Sequence, residues 1–325
     1  MTDNSPVVVD PAALPQGAAP AVPLLDDGDH ARILRRGKAP ITVTAREYTS
    51  YRPVRVKGGF LVYSFDPENN YPSWHFLTFV GYRGQHHEVA RGESVYLFGG
   101  LTSPDGRAFA IHVGGDRSHE IRVVRISDGT VIADRHFPGR TNIIGYRHGR
   151  VLLRRGHHYT RWWDTHTNKL RTFDSRGTTP PRDGPCSLPA AADLSSGHVP
   201  LLRGHGDTAI VSVPRHPQNV WWLHGGECPV VWSPNDEYVL TLAVIPHGSQ
   251  PVETVRVRRA DDGRLVREFQ GAFDASTLAW EDGHTFLGYA SSTRSAVVRC
   301  TVAGDCERAT GLDSHNEYLV RPRAS

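Results

Sequence analysis

Lysine is almost missing from this chain of 325 residues. It occurs only at Lys38, Lys57 and Lys169, and every other residue of the 37 Lys plus Arg is arginine. The net charge is a small +3, and the charged runs are short and of mixed sign. That excludes the basic stripe through which nucleic acid is bound. The arginine bias reads as a high-GC coding preference rather than phosphate recognition. No run of about 18 apolar residues exists, so no membrane-spanning segment is expected. The first residues, MTDNSPVVVDPAALPQGAAP, have neither the basic start nor the apolar core of a secretion signal. Rich in Pro and Ala, they are expected to be disordered to about residue 20, with residues 21–325 forming a single domain. These absences point to a soluble, cytoplasmic, monomeric protein, with an exported or membrane-associated form as the alternative.

Chemical motifs are missing too. There is no His-Glu-x-x-His, no Cys-x-x-Cys and no regular ladder of aspartates, so no metal is expected. There is no Gly-x-Ser-x-Gly elbow and no phosphate-binding glycine loop, so neither a serine nucleophile nor a cofactor is indicated. Cysteine is scarce, with four residues. Cys300 and Cys306 flank the turn Val302-Ala303-Gly304, where a symmetric hairpin sets them opposite each other at disulfide range. Cys186 and Cys228 sit about one repeat apart at similar points and are a second candidate pair. Four reduced, buried thiols are the other reading.

Glycine, asparagine and aspartate are plentiful, and they are spaced. Turn signals fall at Gly37-Lys38, Arg83-Gly84, Asp128-Gly129, Thr167-Asn168, His216-Pro217, Asp262-Gly263 and Ala303-Gly304, roughly 39 to 49 residues apart. A second series interleaves with them: Gly58-Gly59, Asp105-Gly106, His148-Gly149, Ser196-Gly197, Asn235-Asp236 and Asp282-Gly283. Period-two runs such as IRVVRI and TVRVRR flank these turns, as strands with one drier face do. The spacing matches the about 40 to 45 residues of one four-stranded propeller blade. Each repeat then reads strand a, tight turn, strand b, variable loop, strand c, tight turn, strand d. The N-terminal strands AVPLL (21–25), HARILRR (30–36) and APITVTA (39–45) lack a first strand, which EYLVR (317–321) supplies. The expected fold is all-β, a seven-bladed β-propeller closed by this blade of mixed origin, or six-bladed if EYLVR merely extends the last sheet.

SPDGRAFAIH (103–112) and WSPNDEYVLT (232–241) resemble the turn of WD40-like and TolB-type propeller repeats, and VVRCTVAGDCERATG (297–311) resembles the last blade of WD40-like propellers of high-GC Gram-positive bacteria. The resemblance covers about residues 20–325. It implies a binding platform rather than a reaction, and a structural use for many histidines. Trp163-Asp164 is the one Trp-Asp dipeptide, and Gly-His pairs occur at Gly156-His157 and Gly204-His205.

In such a blade the tight a–b and c–d turns share one face, and the longer b–c and d–a connections share the other. The b–c loops are 66–75, 113–120, 155–161, 203–207 and 245–253; the d–a loops are 138–143, 175–186 and 224–228. Functional groups on a rigid frame concentrate in such loops. The candidate binding residues are Tyr71, Asp116, His119, His157, His158, Tyr159, Arg161, His205, Asp207, His224 and His247. Of the pairs Trp162-Trp163 and Trp221-Trp222, one member each is expected to pack between blades. The first functional reading is a non-catalytic propeller that binds a protein or peptide on the wide loop face. The alternative is an enzyme (hydrolase, lyase or cyclase) with a His/Asp/Arg site at the wide mouth of the channel.

Overall fold

A computed structural model of the chain describes residues 5–26, 31–43, 48–66, 74–92, 101–103, 105–113, 119–137, 141–147, 149–155, 159–172, 198–203, 207–212, 219–224, 227–245, 252–274, 277–313 and 317–319. Among these the regular secondary structure is all strand, in seven sheets built from successive stretches of sequence. Sheet I holds Leu24–Asp26, Arg32–Arg35 and Lys38–Thr42, with Glu317–Leu319 on its edge. Sheet II is Tyr48–Val56, Gly59–Asp66, Trp74–Gly81 and His86–Gly92. Sheet III is Leu101–Thr102, Ala108–Val113, His119–Arg125 and Val131–Phe137. Sheet IV is Thr141–Arg147, Arg150–Arg155, Tyr159–Asp164 and Lys169–Thr172. Sheet V shows three strands, His198–Arg203, Asp207–Ser212 and Asn219–Leu223. Sheet VI is Cys228–Trp232, Tyr238–Ile245, Val252–Arg259 and Leu265–Gln270. Sheet VII is Ala272–Phe273 and Ala279–Trp280, then Thr285–Ser291, Ser295–Thr301 and Cys306–Arg308. No helix of the described residues is long and apolar enough to cross a membrane.

The turn residues explain the repeat. The left-handed backbone positions include Gly37, Gly84, Gly129, Asn168, Gly263 and Gly304 in one series and Gly58, Gly106, Gly149 and Asp236 in the other. Only Gly, Asn and Asp adopt that conformation at little cost, so the chain marks these reversals with one of them. The a–b turns of sheets III and VI use one device. The Ser103 hydroxyl donates to Asp105 Oδ1 at 2.6 Å and accepts the Ala108 N–H at 2.9 Å. Ser233 does the same with Asn235 at 2.7 Å and Tyr238 at 2.9 Å.

Apolar cores lie between neighbouring sheets. Leu25 and Ile33 of sheet I pack with Phe60 and Val62 of sheet II. Leu61 and Leu77 of sheet II pack with Phe109 and Ile111 of sheet III. Ile121 and Val123 of sheet III meet Val151 and Trp163 of sheet IV. Trp221 and Leu223 of sheet V meet Trp232 and Val239 of sheet VI. Val255 and Phe269 of sheet VI meet Trp280 and Phe286 of sheet VII. Leu287 and Val297 of sheet VII meet Leu24, back in sheet I. Sheets I, II, III, VI and VII thus each bury apolar residues against both sequence neighbours, and sheets IV and V against one neighbour each among the described residues, a propeller-like packing. Trp163 and Trp221 are buried while Trp162 and Trp222 are half-buried, as alternation along a strand requires.

The two ends of the chain meet in sheet I, where Leu24 pairs with Leu319 and Leu25 with Tyr318. Glu317–Leu319 therefore pairs with the N-terminal strands and not with the last sheet. The N-terminal segment, expected to be disordered to about residue 20, is instead strapped along the outside of sheets VI and VII from residue 5 onward. Val7 and Val8 add a parallel strand beside Phe269 and Gln270, and Val9 is buried in the core between the two sheets. The Arg308 N–H donates to the Pro15 carbonyl and the Gly17 N–H to the Arg308 carbonyl, both at 2.8 Å. An outer strand has an open row of backbone donors and acceptors, and an extended arm satisfies them without needing a sequence period of its own.

Cys300 stands opposite Cys306 in the register of sheet VII, and the two form a disulfide with Cα atoms 4.2 Å apart. Cys228 is disulfide-bonded as well. Cys186 lies outside the described residues.

Candidate functional site

The third strand of a sheet begins where its b–c loop ends, so its first residue stands at the loop end of the sheet. His119 opens Val113's partner strand in sheet III, paired with Phe137. Tyr159 opens the third strand of sheet IV opposite Arg155, and Asp207 opens the corresponding strand of sheet V opposite Arg203. Three sequence-predicted residues thus share one end of three successive sheets. Arg161 lies two residues further in, between Leu153 and Thr172, and is half-buried. His224 follows the last strand of sheet V and is exposed. Tyr71, Asp116, His157, His158, His205 and His247 fall outside the described residues.

A charged cluster that the sequence reading passed over sits beside Cys228. The Glu227 side chain, 2% exposed, accepts from Arg258 Nε at 2.6 Å and Nη2 at 2.8 Å, from Arg256 Nη1 at 2.9 Å, and from the Thr241 hydroxyl. Burial alone pushes this carboxyl up, but the arginine and threonine hydrogen bonds outweigh it and hold it below the usual carboxylate range. Arg256 continues to Glu268 at 2.8 Å. Every member is paired, so the cluster ties the four main strands of sheet VI together and offers no vacant coordination.

On the opposite face, that of the tight turns, a cavity of about 960 Å³ opens where sheets II, III and IV meet. Its apolar wall includes Phe79, Ala108, Ile126 and Ile132, and its cations are Lys57, Arg107 and Arg125. Asp105 is its carboxylate, and Tyr146 stands in the wall from sheet IV. Burial, and then the neighbouring Asp105 charge, push the Tyr146 phenol up to about 12. It therefore keeps its proton at neutral pH and can donate. Hydrogen bonds between sheets hold the walls apart at fixed spacing. The Lys57 N–H donates to the Gly106 carbonyl at 3.1 Å, and His87 Nε2 to the Ile126 carbonyl at 2.8 Å. Arg135 Nη1 reaches Asn168 Oδ1 at 3.1 Å, and Trp163 Nε1 donates to the same oxygen at 2.9 Å. Sequence reasoning missed this cavity because it assigned function to the long loops. The one available signal was Lys57, a rare lysine set directly before the turn glycine of sheet II.

No protein family profile matches the chain, and no curated protein does. Solved structures are similar to it. A functionally unknown protein from Desulfotomaculum acetoxidans aligns with 14% identity and a TM-score of 0.54, over 93% of this chain and 99% of that one. The dihydro-heme d1 dehydrogenase NirN in complex with DHE aligns with 12% identity and a TM-score of 0.52, over 94% of this chain and 77% of its own. The β-propeller domain of Cps50 (Swd1) from Myceliophteria thermophila gives 12% identity and a TM-score of 0.46, over 87% of this chain and 91% of its own. Identities this low speak for fold alone. The chain has a propeller-like, all-β fold.

Proposed function

We propose that the seven sheets close into one ring and that the protein acts, as a monomer, as a non-catalytic platform for a protein or peptide partner. The partner is engaged on the wide face formed by the b–c and d–a loops. The observation that supports this most is the common placement of His119, Tyr159 and Asp207 at the loop end of sheets III, IV and V. A propeller presents such residues from rigid strands, so little ordering is needed on binding.

Affinity capture with the purified protein should recover a stoichiometric partner. Alanine at Tyr71, Tyr159 or Arg161 should weaken it, since Tyr and Arg dominate such contacts. Recovery of no partner, together with small-molecule turnover that disappears in His158→Ala, would overturn the platform and favour an enzyme.

A further inference from the structure

The cavity between sheets II, III and IV lies away from the face assigned to the partner. Its volume of about 960 Å³ stands at the upper end of the roughly 300–1,000 Å³ typical of small-molecule sites. What decides its ligand is which polar groups on the wall are still free. Asp105 is used by its own turn: Oδ1 accepts from the Ser103 hydroxyl at 2.6 Å and the Arg107 N–H at 3.1 Å, and Oδ2 lies 3.8 Å from Arg107 Nε. The Thr165 hydroxyl donates to the Gly149 carbonyl at 2.7 Å. Arg125 is paired with Asp128 at 2.9 Å.

The Lys57 ammonium and the Tyr146 hydroxyl have no side-chain partner among the described residues, and the outer Arg107 nitrogens, Ser127 and His166 add further donors to the wall. A wall whose one carboxylate is engaged by its own turn and whose cations outnumber it calls for an acceptor-rich ligand, and the unpaired Lys57 charge makes that ligand an anion. Phe79, Ile126 and Ile132 require an apolar body next to the charged head. The bonds between sheets keep the cavity open before the ligand arrives.

We propose that this cavity binds a small organic anion, an aliphatic or aromatic body bearing one carboxylate, with its head held by Lys57 and Tyr146.

The test uses the full-length protein and 8-anilinonaphthalene-1-sulfonate, an anionic aromatic probe that fluoresces in apolar surroundings. Saturable single-site binding is expected, with displacement by decanoate and none by decylamine at the same concentration. Lys57→Glu and, separately, Tyr146→Phe should weaken the probe about tenfold or more, as loss of a charge-assisted or buried hydrogen bond does. Near-UV circular dichroism identical to wild type excludes unfolding as the cause. Arg107→Gln, at an exposed position, serves as a second variant and should weaken binding only a few-fold. Absence of saturable binding, equal displacement by decylamine, or unchanged affinity in folded Lys57→Glu would each overturn the proposal.

Discussion

Arg299 is the fastener of the N-terminal strap, and replacing it with methionine tests that role quantitatively. All five guanidinium N–H groups are engaged. Nε and Nη2 donate to Glu281 at 2.6 and 3.0 Å, Nη1 donates to Glu307 at 2.5 Å and to the Ala18 carbonyl at 2.9 Å, and Nη2 donates to the Ala19 carbonyl at 3.2 Å. The side chains of Arg299 and Glu281 are 12% and 9% exposed, so the pair is nearly dry. Methionine keeps the apolar volume but leaves the Glu281 carboxylate with the Ala21 N–H and no cation, and removing one partner of a buried pair costs about 3–5 kcal/mol. At about 2.1 cal/mol/K of unfolding entropy per residue over 325 residues, each kcal/mol moves Tm about 1.5 °C. Arg299→Met should therefore lower Tm by about 4–8 °C in scanning calorimetry at fixed scan rate. Two of the five bonds end on residues 18 and 19. In protein lacking residues 1–20 the same substitution should thus cost about 1–2 kcal/mol less, a coupling of the size seen between contacting groups. Strict additivity of the two changes would refute the strap as a structural part.

Gly263→Ala and Gly37→Ala should differ sharply although both sit at left-handed φ, +73° and +67°. A Cβ at Gly263 would stand 2.4 Å from the buried Trp221 ring, whereas nothing lies within 4 Å at Gly37. The first should cost about 3 kcal/mol or more and the second about 1–2 kcal/mol, and equal losses in Tm would count against the packing of sheet V on sheet VI. Glu227 contributes stability that is present above the ordinary carboxylate range and lost as pH falls through its lowered folded value. Tm should fall on acidification, and more steeply than in Glu227→Gln, which is less stable at neutral pH; parallel curves would show that the cluster is not the titrating element. Thiol titration in denaturant without reductant should find no free cysteine. Cys300→Ser should cost about 2 kcal/mol, as expected for so short a closed loop. Four reactive thiols in protein isolated without reductant would instead support a reducing compartment.

The repeat was legible because a left-handed turn position leaves few choices. Gly129, Asn168, Asp236 and Gly263 had to be Gly, Asn or Asp, so backbone geometry wrote itself into the composition at regular intervals. The opposition of Cys300 and Cys306 followed from hairpin symmetry, and the shared sheet of Leu24 and Leu319 from counting strands at the two ends. The strap was not legible. Val7 to Val9 form too short a run to show a period, and Pro11, Pro15 and Pro20 looked like disorder, although proline suits an extended arm whose carbonyls do the bonding. The cavity was hidden for another reason. Its wall is assembled from tight turns of three sheets, and nothing in any one turn shows what the others place beside it. The long loops did announce themselves by length and by histidine, which is a statement about exposure rather than chemistry.

The pairing of the chain's two ends in sheet I, on which the proposed ring rests, is tested most directly by linking them. Asp26 and Glu317 lie directly opposite each other in the antiparallel register, the arrangement a disulfide can bridge. The double variant Asp26→Cys/Glu317→Cys, mildly oxidised and mapped by proteolysis and mass spectrometry, should yield an intramolecular cross-link between the two terminal peptides, with Tm raised. Recovery of both engineered thiols unlinked, or of links only between molecules, would contradict the joining of head and tail in one sheet.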